Sequence, residues 1–147
     1  MPLFATLLSF LLSMGSSMSD VQQPKLLDEA LGSALVKRAS GPSHNAGRKA
    51  LEAQIAKTFG AKYAISSSQY FVVSPDVLWV AASKNIQNQM LERSVGRAHY
   101  DGENPGVVLI DFYPQPHGAF VLAMDKGASS RNEKLVAYFV LRHKSST

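Results

Sequence analysis

The sequence predicts an α+β fold: about three helices packed on an antiparallel sheet of about five strands, preceded by a short apolar N-terminal segment. Three observations lead there. The chain has 147 residues, 46% of them apolar and 18% charged, which is the size and composition of one globular domain with its own core. Stretches with apolar residues at helical spacing are closed by Ser40-Gly41-Pro42 and by Gly60, residues that stop helices. The C-terminal part holds long β-branched and aromatic runs separated by turn residues. The division that follows is an apolar N-terminal segment over residues 1–20 and a single α+β domain over residues 21–147.

The N-terminal segment is apolar from Leu3 to Leu12 and carries no charged side chain before Asp20. A membrane-spanning helix needs about 20 apolar residues, so this stretch is too short to span. Ser13 and Gly15 form a small-x-small pattern of the kind cleaved from export signals, but the basic residues that normally precede it are missing. Read as a helix, the segment places Ser9, Ser13 and Ser17 in one stripe, and such a stripe lets helices approach closely. Leu3, Phe4, Leu7, Leu8, Ser9, Leu11, Leu12 and Ser13 are therefore expected at an interface, against another protein chain or a membrane surface.

In the domain, Pro24 is expected to open a helix that runs to Arg38, with Leu27, Leu31, Ala34 and Leu35 on its apolar side. A second helix is expected over Asn45 to Phe59, buried through Leu51, Ile55 and Phe59, with Arg48, Lys49, Glu52 and Lys57 solvated. Strands follow at Lys62 to Ser66, Tyr70 to Val73 and Val77 to Ala81. Ser66-Ser67-Ser68 and Ser74-Pro75-Asp76 read as the turns between them. A third helix is expected from Lys84 to Gly96, capped by Ser83, then a polar loop from Tyr100 to Gly106. Strands over residues 107–113, 118–124 and 134–142 complete the chain.

Val107-Val108-Leu109-Ile110 and the run from Leu135 to Leu141 are apolar on both pleat faces. Both faces of the sheet therefore need cover, either from the three helices or from a partner subunit or the N-terminal segment.

Composition narrows the chemistry. The chain contains no cysteine, which removes thiol nucleophiles, disulfide scaffolds and cysteine-based metal sites. The net charge is +4, spread over the whole chain without the basic stripe or interleaved aromatics of a nucleic-acid surface, so nucleic acid is the less favoured partner. Phosphate-loop, dinucleotide, zinc-protease and nucleophile-elbow motifs are all missing. His44, His99, His117 and His143 lack metal-ligand spacing; no metal and no cofactor is expected.

The residual catalytic candidates are His99 and Asp101, together with His117 in the loop Pro114-Gln115-Pro116-His117. Two histidines and a carboxylate suit general acid-base catalysis, one group taking a proton while the other gives one, with Lys126 or Arg131 available to developing charge. Asp111 interrupts an apolar strand on the pleat face of Leu109 and Tyr113. It should lie at an edge, pair with a basic residue or serve a ligand, because an unpaired buried carboxylate is costly. Trp79 and the strand aromatics are expected in the core.

These readings converge on a non-enzymatic structural or binding component of a larger assembly: a homo-oligomer, a virion-like particle or a membrane-associated complex. Two alternatives stand beside it. One is a small basic hydrolase or ribonuclease, secreted or delivered, acting through His99, Asp101 and His117. The other is a small-molecule-binding domain whose sheet curves around a pocket that receives Asp111 or Tyr113.

Overall fold

A computed structural model of the chain describes residues 20–74, 77, 79–101, 108–125 and 134–145. Its elements are α1 (Leu27–Leu31), β1 (Val36–Arg38), a 3-10 turn (Pro42–His44), α2 (Asn45–Phe59), β2 (Tyr63–Val73), α3 (Trp79–Met90), β3 (Ala98–Asp101), β4 (Val108–Gln115), β5 (Gly118–Asp125) and β6 (Lys134–His143). The six strands form one sheet in the order β1-β2-β6-β5-β4-β3, and every neighbouring pair is antiparallel. The α+β class and the three helices are as the sequence predicts. The sheet has six strands rather than about five. The interface residues expected between Leu3 and Ser13 lie outside the described residues.

The apolar character of both pleat faces is explained by cover on both sides. On one face Leu27 of α1 and Ala82, Ile86 and Met90 of α3 pack on Phe71, Phe120, Leu122, Met124, Val136 and Tyr138. On the other, Leu51, Ile55 and Phe59 of α2 pack on Ile110, Val121, Leu135, Phe139, Leu141 and three alanines, Ala119, Ala123 and Ala137. Strand alternation sorts the residues: along β5, Phe120, Leu122 and Met124 face α3 while Ala119, Val121 and Ala123 face α2. The small alanines let α2 sit close to the sheet, and each large side chain so buried contributes about 1.5–3 kcal/mol. The chain's own helices thus pack on both faces of the sheet.

Five elements differ from expectation. The first helix is only Leu27–Leu31, because Gly32 takes a φ of 96°, a left-handed conformation that glycine adopts without penalty. Val36–Arg38 then pairs with Val73, Val72 and Phe71 as an edge strand. Ser66-Ser67-Ser68 is not a turn: β2 is continuous, and a register slip between Ile65 and Ser67 absorbs one residue. Pairing with β6 takes up the backbone groups along one side of this polar stretch.

Residues expected as a strand near Trp79 begin α3 instead, where Ala82, Ile86 and Met90 give the buried row at four-residue spacing. Ser83 is consequently inside the helix and buried rather than capping it. Finally, Ala98–Asp101 is a strand, β3, at the edge beside β4, where a polar loop is expected from Tyr100 onward.

The segment before α1 is tied to the sheet by polar contacts. The Gln22 N–H donates to Gln115 Oε1 at 2.7 Å, and Gln115 Nε2 donates back to the Gln22 carbonyl at 2.8 Å. Tyr138 Oη donates to the Lys25 carbonyl at 2.7 Å, and Arg142 pairs with Asp20 at 2.8 Å. This strap, α1 and α3 share the α3 face of the sheet.

Candidate ligand-binding site

Asp111 lies in the middle of β4 and is completely buried. Strand alternation puts it on the α3 face with Leu109 and Tyr113, so its carboxylate points into an apolar layer and must be satisfied there. Three side chains do this. Ser83 Oγ donates to Oδ2 at 2.6 Å, Arg97 Nη2 donates to Oδ1 at 3.0 Å, and His99 Nδ1 lies 2.7 Å from Oδ1. Of the placements the sequence allows for Asp111, the structure gives pairing with a basic residue.

Local structure explains why these groups meet. His99 and Asp111 are directly opposed partners in the β3–β4 ladder, where side chains stand on the same face about 4.5–5.5 Å apart. Arg97 is two residues before His99 and returns to that face. Ser83 is one turn into α3, beside the buried row of Ala82, Ile86 and Met90. Burial disfavours the charge on Arg97, but the adjacent carboxylate of Asp111 outweighs this and raises the guanidinium pKa above its ordinary value.

The Tyr113 hydroxyl is buried two residues further along β4 beside the Arg97 guanidinium. Burial pushes its pKa up to about 12; the Asp111 carboxylate adds to the effect and Arg97 opposes it.

A cleft of about 510 Å³ opens beside this cluster, lined by Trp79, Val80, Ser83, Lys84, Gln87, Asn88, Arg97 and His99. Six of those residues form two adjacent rows on α3, Trp79/Ser83/Gln87 and Val80/Lys84/Asn88, each at the four-residue step that stacks side chains along one face of a helix. Arg97 and His99 form the opposite wall. Their side chains are 29% and 38% exposed, whereas Asp111 behind them has no exposure. The cleft therefore meets cationic and neutral donors and not the carboxylate that organises them.

Of the catalytic candidates, His99 belongs to this cluster. The Asp101 side chain, Lys126 and Arg131 lie outside the described residues. His117 is in the exposed turn between β4 and β5, next to the Gln115↔Gly118 pair. Gln115 is four residues along β4 from Asp111, roughly 13 Å at strand spacing, and no contact joins His117 to His99 among the described residues.

Trp79, expected in a strand, is a half-buried residue of α3 that packs on the core and lines the cleft. The sequence presents Ser83 and Lys84 only as the start of a helix, and Arg97 as no candidate. For Arg97 a signal exists, since Arg97, His99 and Asp101 alternate with Ala98 and Tyr100 at the strand period of two. Ser83 and Lys84 carry no such signal, because a helix joins them to the site only through its packing.

Among the described residues no three His, Asp or Glu side chains are grouped as metal ligands, and no helix is long and apolar enough to cross a membrane. Comparison of the chain with protein-family models, with curated proteins and with solved structures returns no significant match.

Proposed function

We propose that this chain is a small-molecule-binding domain whose ligand sits in the cleft between α3 and β3. The observation that carries the reading is the buried Asp111 with Ser83, Arg97 and His99 around it. Placing an ionic cluster in an apolar layer contributes little net stability and is often no better than a well-packed apolar core. Polar groups that break the local apolar pattern are characteristic of functional sites. Here the cluster fixes the rotamers of residues that form the wall of a cleft of about 510 Å³, the size range of small-molecule sites.

The test is a fragment-mixture screen of the full chain by heteronuclear NMR. Shifts concentrated on Trp79, Ser83, Lys84, Arg97 and His99 are the expected outcome. Hits scattered over the surface, or grouped elsewhere, would sink the reading.

A second reading, self-assembly, is favoured by one observation. Among the described residues the outer edge of β2 is paired only near its end, where β1 meets Phe71, Val72 and Val73 and the Ala39 N–H reaches the Tyr70 carbonyl. Tyr63 to Gln69 contains no Lys, Arg or Pro, the residues that usually blunt an edge strand. A second copy of the chain could add its own β2 antiparallel to this one, a self-complementary contact. Light scattering on the native protein decides: a dimer abolished by Ile65→Lys supports this reading, and a monomer at all concentrations removes it.

A further inference from the structure

We infer that the ligand of the cleft is an organic anion, a carboxylate or phosphate monoester carried on a flat apolar body. Its head would lie against Arg97, His99 and Lys84, and its body against Trp79 and Val80. The inference rests on the reading of the cleft as a ligand site and adds the class of molecule.

Charge comes first. Among the described residues no acidic side chain lines the cleft, because Asp111 is fully buried behind Arg97 and His99. Asp111 balances one positive charge, and the wall contains two permanent ones, on Arg97 and Lys84. Lys84 is exposed and makes no ion pair among the described residues. The cleft is left with an excess of positive charge, which attracts an anion and repels a cation.

Donor geometry comes second. The hydrogen bonds that Arg97 makes to Asp111 and Ser83 both leave from Nη2. Its Nε–H and Nη1–H groups are not committed to that pair; they lie on different edges of the guanidinium, beside Tyr113, so each offers an anion a single charge-assisted donor. Because Asp111 also holds Nδ1 of His99, the second ring nitrogen, Nε2, lies on the far side of the ring from the carboxylate. Arginine and histidine are thereby positioned before any ligand arrives, which reduces the ordering cost of binding.

Apolar surface comes third. Trp79 opens α3 and packs on the core beneath it, so its ring is held in place. Val80, on the neighbouring row, is 71% exposed. A small polar anion such as inorganic phosphate would leave both uncovered, whereas a flat apolar body would cover them and stack on the indole.

Trp79 is the sole tryptophan of the chain, so its indole N–H resonance is a unique reporter of the cleft. The full-length protein would be titrated at low ionic strength with benzoate, phenyl phosphate, benzamide and benzylamine, following that resonance. Benzoate or phenyl phosphate should bind at least about tenfold more tightly than neutral benzamide, a difference that one charge-assisted hydrogen bond can supply, and added salt should weaken the anion. Lys84→Gln, on an exposed site, should weaken the anion by about threefold without altering the melting temperature or benzamide binding. Preference for benzoate or for phenyl phosphate would assign the head group, and either supports the inference.

Benzamide or benzylamine binding as tightly as the anions would overturn the ligand class while leaving the cleft a ligand site. Binding of the anions that is insensitive to both salt and Lys84→Gln would overturn it too. If no probe, charged or neutral, moves the Trp79 resonance at millimolar concentration, the cleft reading itself fails.

Discussion

Asp111 Oδ1 lies 2.7 Å from His99 Nδ1 across a directly opposed pair of the β3–β4 ladder. The ladder sets the distance between the two backbones, and the carboxylate sets the ring, so the histidine has one orientation rather than several. Ser83 and Arg97 hold the same carboxylate from α3 and from the chain entering β3. A helix, an edge strand and an inner strand are thus joined through one side chain.

Removing that side chain should be expensive. Asp111→Ala leaves Arg97 and His99 beside an apolar void, and breaking a buried pair in this way typically costs about 3–5 kcal/mol. Asp111→Asn, which keeps the shape, should cost less. Urea unfolding monitored by circular dichroism measures both. An Asp111→Ala protein within about 0.5 kcal/mol of wild type, the range of an uninvolved surface position, would show that the cluster is not structural.

Ser83→Ala removes the hydroxyl that donates to Oδ2 at 2.6 Å. A hydrogen bond to a charged group contributes about 1.5–3 kcal/mol, and the loss should fall in that range. Because both residues act on one carboxylate, Ser83→Ala combined with Asp111→Asn should be non-additive by about 0.5–3 kcal/mol. Strict additivity in the double-mutant cycle would count against a shared network.

Gly118 begins β5 opposite Arg142 of β6, and a Cβ there would collide with the carbonyl oxygen of Leu141 and press on Val21. Gly118→Ala must push β5 and β6 apart at this end, since backbone cannot rotate away as a side chain can. A loss of about 1–3 kcal/mol, typical of overpacking, is expected in thermal or urea unfolding. An unchanged midpoint would mean that the strand end yields freely.

Alkaline pH should unfold the protein through its tyrosines. Tyr113 is pushed up to about 12 by burial and the nearby Asp111 carboxylate, with Arg97 opposing. Tyr70 is also pushed up to about 12, chiefly by burial, with Ser68 opposing and Glu52 adding. Burial, then Asp28 and Glu29, raises Tyr138 further still. The folded state holds these protons more tightly than the unfolded chain, whose tyrosines ionise near pH 10. The stabilisation is therefore complete below about pH 10 and is lost as pH rises through the folded values. Tyrosinate absorbance should lag in the native protein and jump on unfolding. Full ionisation of every tyrosine near pH 10 with native circular dichroism intact would contradict it.

Gln115 closes a two-bond ring with the backbone of Gln22, at 2.7 and 2.8 Å. Gln115→Ala should free the strap before α1 more than it destabilises the sheet. Hydrogen exchange is expected to quicken at the Gln22 amide while the amides of β5 and β6 keep their protection. Equal acceleration everywhere would mean that the strap belongs to the global folding unit.

Much of the architecture was legible in the sequence for one physical reason: long apolar patterns report directly on which surface is hidden from water. Helix α2 occupies the expected residues because Leu51, Ile55, Phe59 and Gly60 act within a single element. Strands β4, β5 and β6 fall within two residues of expectation because their runs are apolar on both faces and a sheet between helices requires that. Two of the elements that differ from expectation are short or polar. Leu27–Leu31 ends at Gly32 because Val36–Arg38 gains a strand partner 35 residues along the chain, and the serine triplet of β2 remains a strand because β6 pairs with it. In each case a long-range hydrogen-bonded neighbour overrides local preference.

The candidate site divides in the same way. Sequence by itself marked Asp111 as a carboxylate on an apolar pleat face that must lie at an edge, pair with a basic residue or serve a ligand, and it marked His99 as a polar residue worth attention. Which partner Asp111 takes was decided only by the tertiary structure. Ladder register put His99 opposite it, strand alternation returned Arg97 to the same face, and packing of Ala82, Ile86 and Met90 on the sheet delivered Ser83. Local patterns report whether a side chain is buried, but the meeting of side chains distant in sequence depends on register and on helix placement, which the whole core sets together.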